Sequence, residues 1–269
     1  MTSLEPKPPA HAVDAIHQFL RAHAAAEGVR GVAVGLSGGI DSALAARLAV
    51  DALGADRVLG VLQPDAAYPP ALLAETEAYA TALGIAHRTV AIRPIEAAVH
   101  AALPELADPV ALGNVKARLR MVVIYAVARE EGRLVVGTGN KSELLLGYFT
   151  KYGDGGVDLL PLGDLYKTEI RALAAELGLP AAIRERAPTA GLWEGQTDEG
   201  ELGLPYEEID RILVGFERLL SEEEIAAATG SSLETVRGLA RRIRTTRHKR
   251  RLPPIPKLAL RTVGLDWRE

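Results

Sequence analysis

The chain has 269 residues, with 31 Lys and Arg against 35 Asp and Glu, a formal charge of −4 that argues against a general nucleic-acid coat. Cysteine is absent, which excludes disulfides, thiolate metal sites and cysteine nucleophiles, and no apolar run approaches the ~20 residues of a membrane span. At 48% hydrophobic content the chain can bury a substantial core, as one α/β domain or a domain with an appendage.

The Pro-rich leader from Met1 to Pro9 has no signal-peptide apolar region, so a cytoplasmic protein is expected. Residues 10–27 place Val13, Ile16, Phe19 and Leu20 at helical spacing, a helix expected to cover the sheet or a partner subunit. Val32-Ala33-Val34 reads as a buried strand, and Ala43–Ala49 as the helix after it. Between them lies Gly35-Leu36-Ser37-Gly38-Gly39-Ile40-Asp41-Ser42. A glycine-rich turn opening a helix presents free N–H groups and the positive end of the helix dipole, which is an anion site. Ser37 and Ser42 add hydroxyls. Asp41 is the odd member, because a carboxylate in a phosphate cradle repels phosphate unless a cation intervenes; Mg²⁺ is the simplest one. The plainer alternative is a turn that merely needs glycines. Neither the Walker nor the G-x-G-x-x-G pattern is present.

Arg57–Leu62 reads as a second buried strand, Pro70–Leu83 as a helix stopped by Gly84, and Ala86–Ile92 as a third strand. Val110–Glu130 is a long helix, and Arg133–Gly137 a further strand. This alternation predicts βαβ units in a doubly wound parallel sheet, with binding at the carboxyl ends of the strands. Thr138–Glu143 leaves one of those ends, so Glu143 is either a second Mg²⁺ ligand or a solvated acid at a helix start.

Gly147–Asp158 interleaves glycines, acids and Lys151 with Tyr148, Phe149 and Tyr152, a poor core and a plausible ligand loop. Lys167 opens the next helix against the dipole preference for acids there, a mismatch resolved if it meets an anion. Pro188–Gly203 is long for a loop and is expected to order over bound ligand. Further on, Glu224–Val236 has a helix-turn-glycine-helix rhythm, followed by Arg241-Arg242-Ile243-Arg244 and Arg247–Arg251. Either this is a DNA-binding module, which needs those cations on one groove-facing helix, or it is a helical hairpin with a basic segment near an anionic small ligand. The acidic chain disfavours the first.

Assembled, these stretches resemble the ammonia-dependent NAD synthetases. The loop is that of the N-type ATP pyrophosphatases. Lys116-Ala117-Arg118-Leu119-Arg120-Met121, Gly137-Thr138 with Glu143, Phe149–Gly156, Pro188–Trp193 with Gly195–Glu199, and His248-Lys249 follow in the family's order. The resemblance implies a single domain: leader and helix at 1–27, an α/β core at 28–185, then a ligand loop and a helical C-terminal appendage at 186–269. It implies that deamido-NAD⁺ is adenylated by ATP and then amidated by ammonia. Residues 35–42, that is Gly35, Leu36, Ser37, Gly38, Gly39, Ile40, Asp41 and Ser42, then hold the ATP phosphates. Thr138, Lys167 and Thr189 contact ATP. Asp41 and Glu143 ligate Mg²⁺. Arg118, Lys151, Asp158, His248 and Lys249 contact deamido-NAD⁺. Phe149 or Tyr148 is expected on the nicotinate ring and Asp154 near the ammonia. A homodimer is expected from the family, and free ammonia as nitrogen source because no glutaminase segment precedes the loop. Rival readings are another amidating or adenylating enzyme with this loop, such as a GMP-synthetase-like or tRNA-modifying protein, and a non-catalytic nucleotide- or DNA-binding module.

Overall fold

The structure, a computed structural model, describes residues 3–193, 195–263 and 266; Met1 and Thr2 of the leader, Glu194 of the long loop and the last residues of the expected domain lie outside them. Four parallel strands, β1 (Gly31–Gly35), β2 (Val58–Leu62), β3 (Ala86–Thr89) and β4 (Arg133–Val136), are ordered β3-β2-β1-β4. Both faces of the sheet are covered, as a parallel sheet requires. Val32 and Val34 pack with α2 (Ile40–Leu53), over which α1 (Ala12–Ala26) lies, on one face, while Ala33, Leu59, Val61 and Val135 meet another helix on the opposite face.

The remaining helices are α3 (Pro70–Ala82), α4 (Arg93–Ala102), α5 (Pro109–Glu130), α6 (Lys141–Leu146), α7 (Lys167–Glu176), α8 (Ala181–Arg184), α9 (Asp198–Leu202), α10 (Tyr206–Glu217), α11 (Glu222–Thr229) and α12 (Leu233–Thr245). Helix α5 supplies the opposite face through Ile124, Val127 and Ala128. Helix α7 joins the first face through Ile170, Leu173 and Ala174. A separate core gathers Ile209, Ile212 and Leu213 of α10 with Ile225, Val236 and Leu239, and it also takes in Leu4, Leu146 and Tyr166. The leader is thus tied to the C-terminal helices through Leu4.

Several expectations shift here. β3 ends at Thr89 rather than Ile92; it is the sheet edge, its side chains are exposed, and Val90 bonds back to Leu62 before the chain turns into α4. No helix is expected from the sequence at 93–102, where α4 forms with none of its residues buried. Helix α1 lies on α2 rather than directly on the sheet, with Leu20 fully buried between them. The long loop carries a turn of helix, α9, at its end.

Because the chain runs β1 to β2 to β3 and returns to the far side of β1 for β4, the loops leaving β1 and β4 part company at their carboxyl ends. That divergence opens a crevice where ligands bind in open α/β sheets. Among the described residues no helix is long and apolar enough to cross a membrane.

If α1 belongs to the core of this chain, Leu20→Ala should cost about 2–5 kcal/mol in chemical denaturation. A loss well under 1 kcal/mol would place α1 outside the core.

Candidate active site

The turn after β1 is held by its own serines. Ser42 Oγ donates to the Gly39 carbonyl at 2.9 Å and lies 3.1 Å from Ser37 Oγ; Gly39 N–H donates to Ser37 Oγ at 3.3 Å. Gly38 has φ +76°, and a Cβ there would lie 2.6 Å from Leu72, so glycine is demanded twice over. Gly39 caps α2 without any side-chain cap, leaving the first-turn N–H groups to face the crevice.

Asp41 sits in that first turn. Its Oδ2 accepts from Lys167 Nζ at 2.6 Å and its Oδ1 from Asn140 Nδ2 at 2.9 Å. Lys167 Nζ also lies 3.4 Å from Glu143 Oε1. Asn140 is fully buried and caps α6: its side chain accepts from Glu143 N–H, while Glu143 accepts from Asn140 N–H, a capping box. One asparagine therefore ties the loops of β1 and β4 together across the switch point. Glu143 is held and shielded rather than loosely solvated. The anion that Lys167 meets in the free chain is this carboxylate pair.

Burial disfavours charge on Lys167, but Asp41 and Glu143 outweigh it and hold its pKa above the ordinary value. Burial pushes Glu143 up, and Asp41 adds to that while Lys167 opposes it. Asp198 of α9 is buried and faces the same cleft; its Oδ1 has no hydrogen-bond partner, and burial raises its pKa too. Around Lys167 itself, three carboxyl groups gather about one ammonium, a crowding of acids that a bound cation would relieve. Among the described residues no three His, Asp or Glu side chains cluster closely enough to hold a metal alone. Asp41 and Glu143 as a pair match what Mg²⁺ takes from a protein when phosphate oxygens supply the rest, so the donor set fits that ion.

These groups line a cleft of about 1130 Å³, larger than most single-ligand pockets. Gly35, Leu36, Ser37, Gly39, Ile40, Asp41 and Ser42 all border it, as do Thr138, Glu143, Lys167 and Thr189; Gly38 borders a small recess beside it. Leu36 and Ile40 turn their side chains into the core, leaving their backbone to the cleft.

At the other end stand Tyr148, Phe149, Asp154 and Lys249. Lys249 Nζ donates to the Gly147 and Phe149 carbonyls at 2.7 Å and sits 5.4 Å above the Phe149 ring. Asp154 accepts from Thr150 N–H at 2.8 Å. It is surrounded by protein yet open to the cleft, and its pKa is raised by that burial against the pull of Lys249.

Arg118, Lys151 and His248 come together but outside the cleft lining. Arg118 reaches the Lys151 carbonyl at 3.4 Å, and Lys151 Nζ donates to the His248 carbonyl at 2.9 Å. They form an exposed rim with Tyr152, which takes a left-handed φ of +62°. Asp158 stands apart: its carboxylate accepts from Val135 N–H at 2.7 Å and Tyr125 O–H at 2.9 Å. In this chain it fastens β4 to α5.

The basic stretch from α12 onward divides in two: Arg241, Arg244, Arg247 and Arg251 are exposed, while Arg242, Lys249 and Arg250 turn inward. Arg242 donates to the Leu146 carbonyl, Arg250 to those of Leu144 and Leu145, and Lys249 to that of Gly147. These are the orphan carbonyls at the C-terminus of α6, which cations complete.

Sequence reasoning missed Asn140, Asp198 and Arg186. Arg186 grips the Gly38 carbonyl and Glu75 beside the anion loop. Asn140 was readable, since Asn-x-x-Glu is a capping signature; the other two depend on tertiary placement. The strap at 188–197 is also tied down. Lys116 Nζ donates to the Leu192 carbonyl at 2.9 Å while pairing with Asp65 at 3.0 Å and Glu96 at 3.6 Å. Gln196 accepts from Leu192 N–H at 2.7 Å, and Gly113 leaves room for Leu192 and Trp193.

The NAD synthase family model matches residues 12–253. A curated NH(3)-dependent NAD(+) synthetase of Methanosarcina mazei is 49% identical over 251 residues, covering 92% of this chain and 98% of the relative. The solved NMN synthetase of Francisella tularensis superposes with a TM-score of 0.81 at 34% identity, covering 92% of this chain and 98% of that one. The NH3-dependent NAD synthetase of Campylobacter jejuni, solved with nitrate, gives 0.77 at 31% identity, with 91% and 97% covered.

If Lys116 latches the strap, Lys116→Met should speed protease cleavage and amide exchange within 188–197 while leaving exchange in the sheet unchanged. Unaltered strap protection would remove the latch.

Proposed function

The chain belongs to the NAD synthase family, and on that premise we propose how its cleft converts deamido-NAD⁺ to NAD⁺ with ATP and ammonia. The observation that carries the reading is Lys167 held between Asp41 and Glu143 at the mouth of an uncapped helix N-terminus. A carboxylate is a poor acyl donor until one of its oxygens becomes part of a good leaving group. The nicotinate oxygen therefore attacks the α-phosphorus of ATP, the bond to the β-phosphate bridging oxygen breaks, and pyrophosphate leaves. Ammonia nitrogen then attacks the acyl carbon, the C–O bond to the adenylate breaks, a proton is lost, and AMP leaves.

In this reading the first-turn N–H groups of α2, with Ser37 and Ser42, receive the phosphates, and Lys167 meets the charge that grows on them. Thr138 and Thr189 border the same end of the cleft and contact ATP. Asp41 and Glu143 would hold Mg²⁺, which when bound would supply charge neutralisation between the anionic partners. Phe149, clamped by Lys249, offers its ring to the nicotinate, and Asp154 beside it receives the ammonia. Arg118, Lys151 and His248 lie off the main cleft and serve the distal part of deamido-NAD⁺, while Asp158, its carboxylate taken by Val135 and Tyr125, supports that end from behind. A homodimer fits this arrangement, since exposed Val122 on α5 stands one turn from Arg118. A cytoplasmic setting completes the proposal.

Incubation with ATP, Mg²⁺, deamido-NAD⁺ and ammonium should yield NAD⁺ and AMP in equal amounts, and Asp154→Asn should raise the ammonium KM. Because an NMN synthetase stands among the structural neighbours, nicotinate mononucleotide is run in parallel. Turnover of the mononucleotide alone, or of neither acceptor by folded protein, would overturn the substrate assignment. For the cation, Glu143→Gln should raise the Mg²⁺ concentration needed for ATP binding about 10-fold or more, read by calorimetry; an unchanged requirement would remove Glu143 from the ligand set.

A further inference from the structure

The chemistry sits on the first turns of two helices, α6 with Glu143 and α7 with Lys167. Neither turn is placed by the sheet alone. Asp210, on α10, is fully buried. Its Oδ1 accepts from Ser142 Oγ–H at 2.5 Å. Its Oδ2 accepts from Thr168 N–H at 2.9 Å and from Thr168 Oγ1–H at 2.8 Å. Ser142 Oγ in turn accepts from Lys167 N–H at 2.9 Å. Among the described residues no Lys or Arg nitrogen lies within 4.0 Å of this carboxylate.

A buried acid without a paired cation is costly unless donors converge on it, and here three do. Thr168 N–H is an orphan donor of the α7 N-terminus, where a negative group is favoured, and the Thr168 hydroxyl joins it on the same oxygen; Lys167 N–H, the neighbouring orphan, is taken by Ser142 Oγ. The Ser142 hydroxyl hydrogen is free for Asp210 because its oxygen is already occupied as an acceptor. A carboxylate is the side chain that accepts on both oxygens without bringing a donor of its own. Helix α10 is itself locked by Ile209, Ile212 and Leu213 in the second core, so Asp210 is an anchor rather than a passenger.

We propose that Asp210 is a positioning residue for the amidation site: one carboxylate holds the first turns of α6 and α7 in register, and so sets where Glu143 and Lys167 stand relative to Asp41. It touches neither substrate nor cation. Ser142 immediately precedes Glu143, and Thr168 immediately follows Lys167, so a slip between the helices is passed directly to the Lys167 contacts of 2.6 Å and 3.4 Å. This inference rests on the ATP-site reading above but not on the identity of the acceptor.

The test is equilibrium binding of Mg·ATP to the full chain by calorimetry, with turnover of deamido-NAD⁺ measured beside it. Asp210→Ala should weaken Mg·ATP binding and lower kcat about 10-fold or more, the loss typical of groups that orient a ligand set, in protein whose circular dichroism matches the wild type. Ser142→Ala breaks the same relay from its other end and should show the same kind of loss; the double variant should lose little beyond Asp210→Ala alone. Leu213→Ala lies on the same helix and destabilises it without touching the relay, so its folded fraction should bind Mg·ATP as the wild type does. Should Asp210→Ala fail to fold, Ser142→Ala carries the test. Folded variants that bind and turn over normally, or a Leu213→Ala loss equal to that of Asp210→Ala, would overturn the proposal. Wild-type protein that binds Mg·ATP but turns over no acceptor would overturn the substrate assignment instead, and the binding arm would still judge Asp210.

Discussion

A single ammonium between two carboxylates organises this molecule. Lys167 opens α7, Asp41 stands in the first turn of α2 after β1, and Glu143 in the first turn of α6 after β4. None of the three elements pairs with another through the sheet at that point. Taking such charges out of water is expensive, and the expense is recovered only when all three are present in good geometry. The site is therefore a cooperative unit: its parts are individually unfavourable and jointly tolerated. It is also left with an excess of negative charge, and a phosphate-bound cation is the kind of ligand that relieves such an excess.

Much of this was legible because it is local. The glycine-rich turn announces itself by residues that neighbour one another, and the strand–helix alternation follows from periodicities of two and 3.6. The switch point then follows from the strand order, which brings the turns after β1 and β4 to one crevice. What escaped was set by distance. Asn140 bridges to Asp41 across 99 positions, Arg186 reaches back 148 to Gly38, and neither pairing leaves a mark in the spacing of the sequence. Asp158 shows the converse limit. It sits in a stretch rich in plausible ligands, yet in the folded chain its carboxylate bonds to Val135 and Tyr125. In the basic run, spacing could not say which cations turn inward: Arg242, Lys249 and Arg250 meet backbone carbonyls, while Arg241, Arg244, Arg247 and Arg251 stay exposed.

The two ends of the cleft differ in construction. The end around Asp41, Glu143 and Lys167 is built on helix starts joined by a network of side-chain hydrogen bonds. The other end is built from a glycine-rich loop, clamped aromatics and an exposed rim whose Tyr152 holds a backbone conformation few side chains adopt. Preorganisation is concentrated where charge must be stabilised, and adaptability where a larger ligand must be accommodated.

The six-residue helix α6 carries a further consequence. Alone, so short a segment is not a stable helix. Its start is completed by Asp210 from α10 and its end by Arg242, Lys249 and Arg250, roughly 70 and 100 residues downstream. During synthesis, which proceeds from the N-terminus, the strands and the anion turn emerge and can assemble well before these partners exist. The helix that carries Glu143 thus gains the partners at its end only from the last fifth of the polypeptide, and a chain cut short before them keeps the sheet and its glycine-rich turn without that support. Contacts of such long sequence separation carry a larger loop-closure cost than the local strand and helix contacts around them.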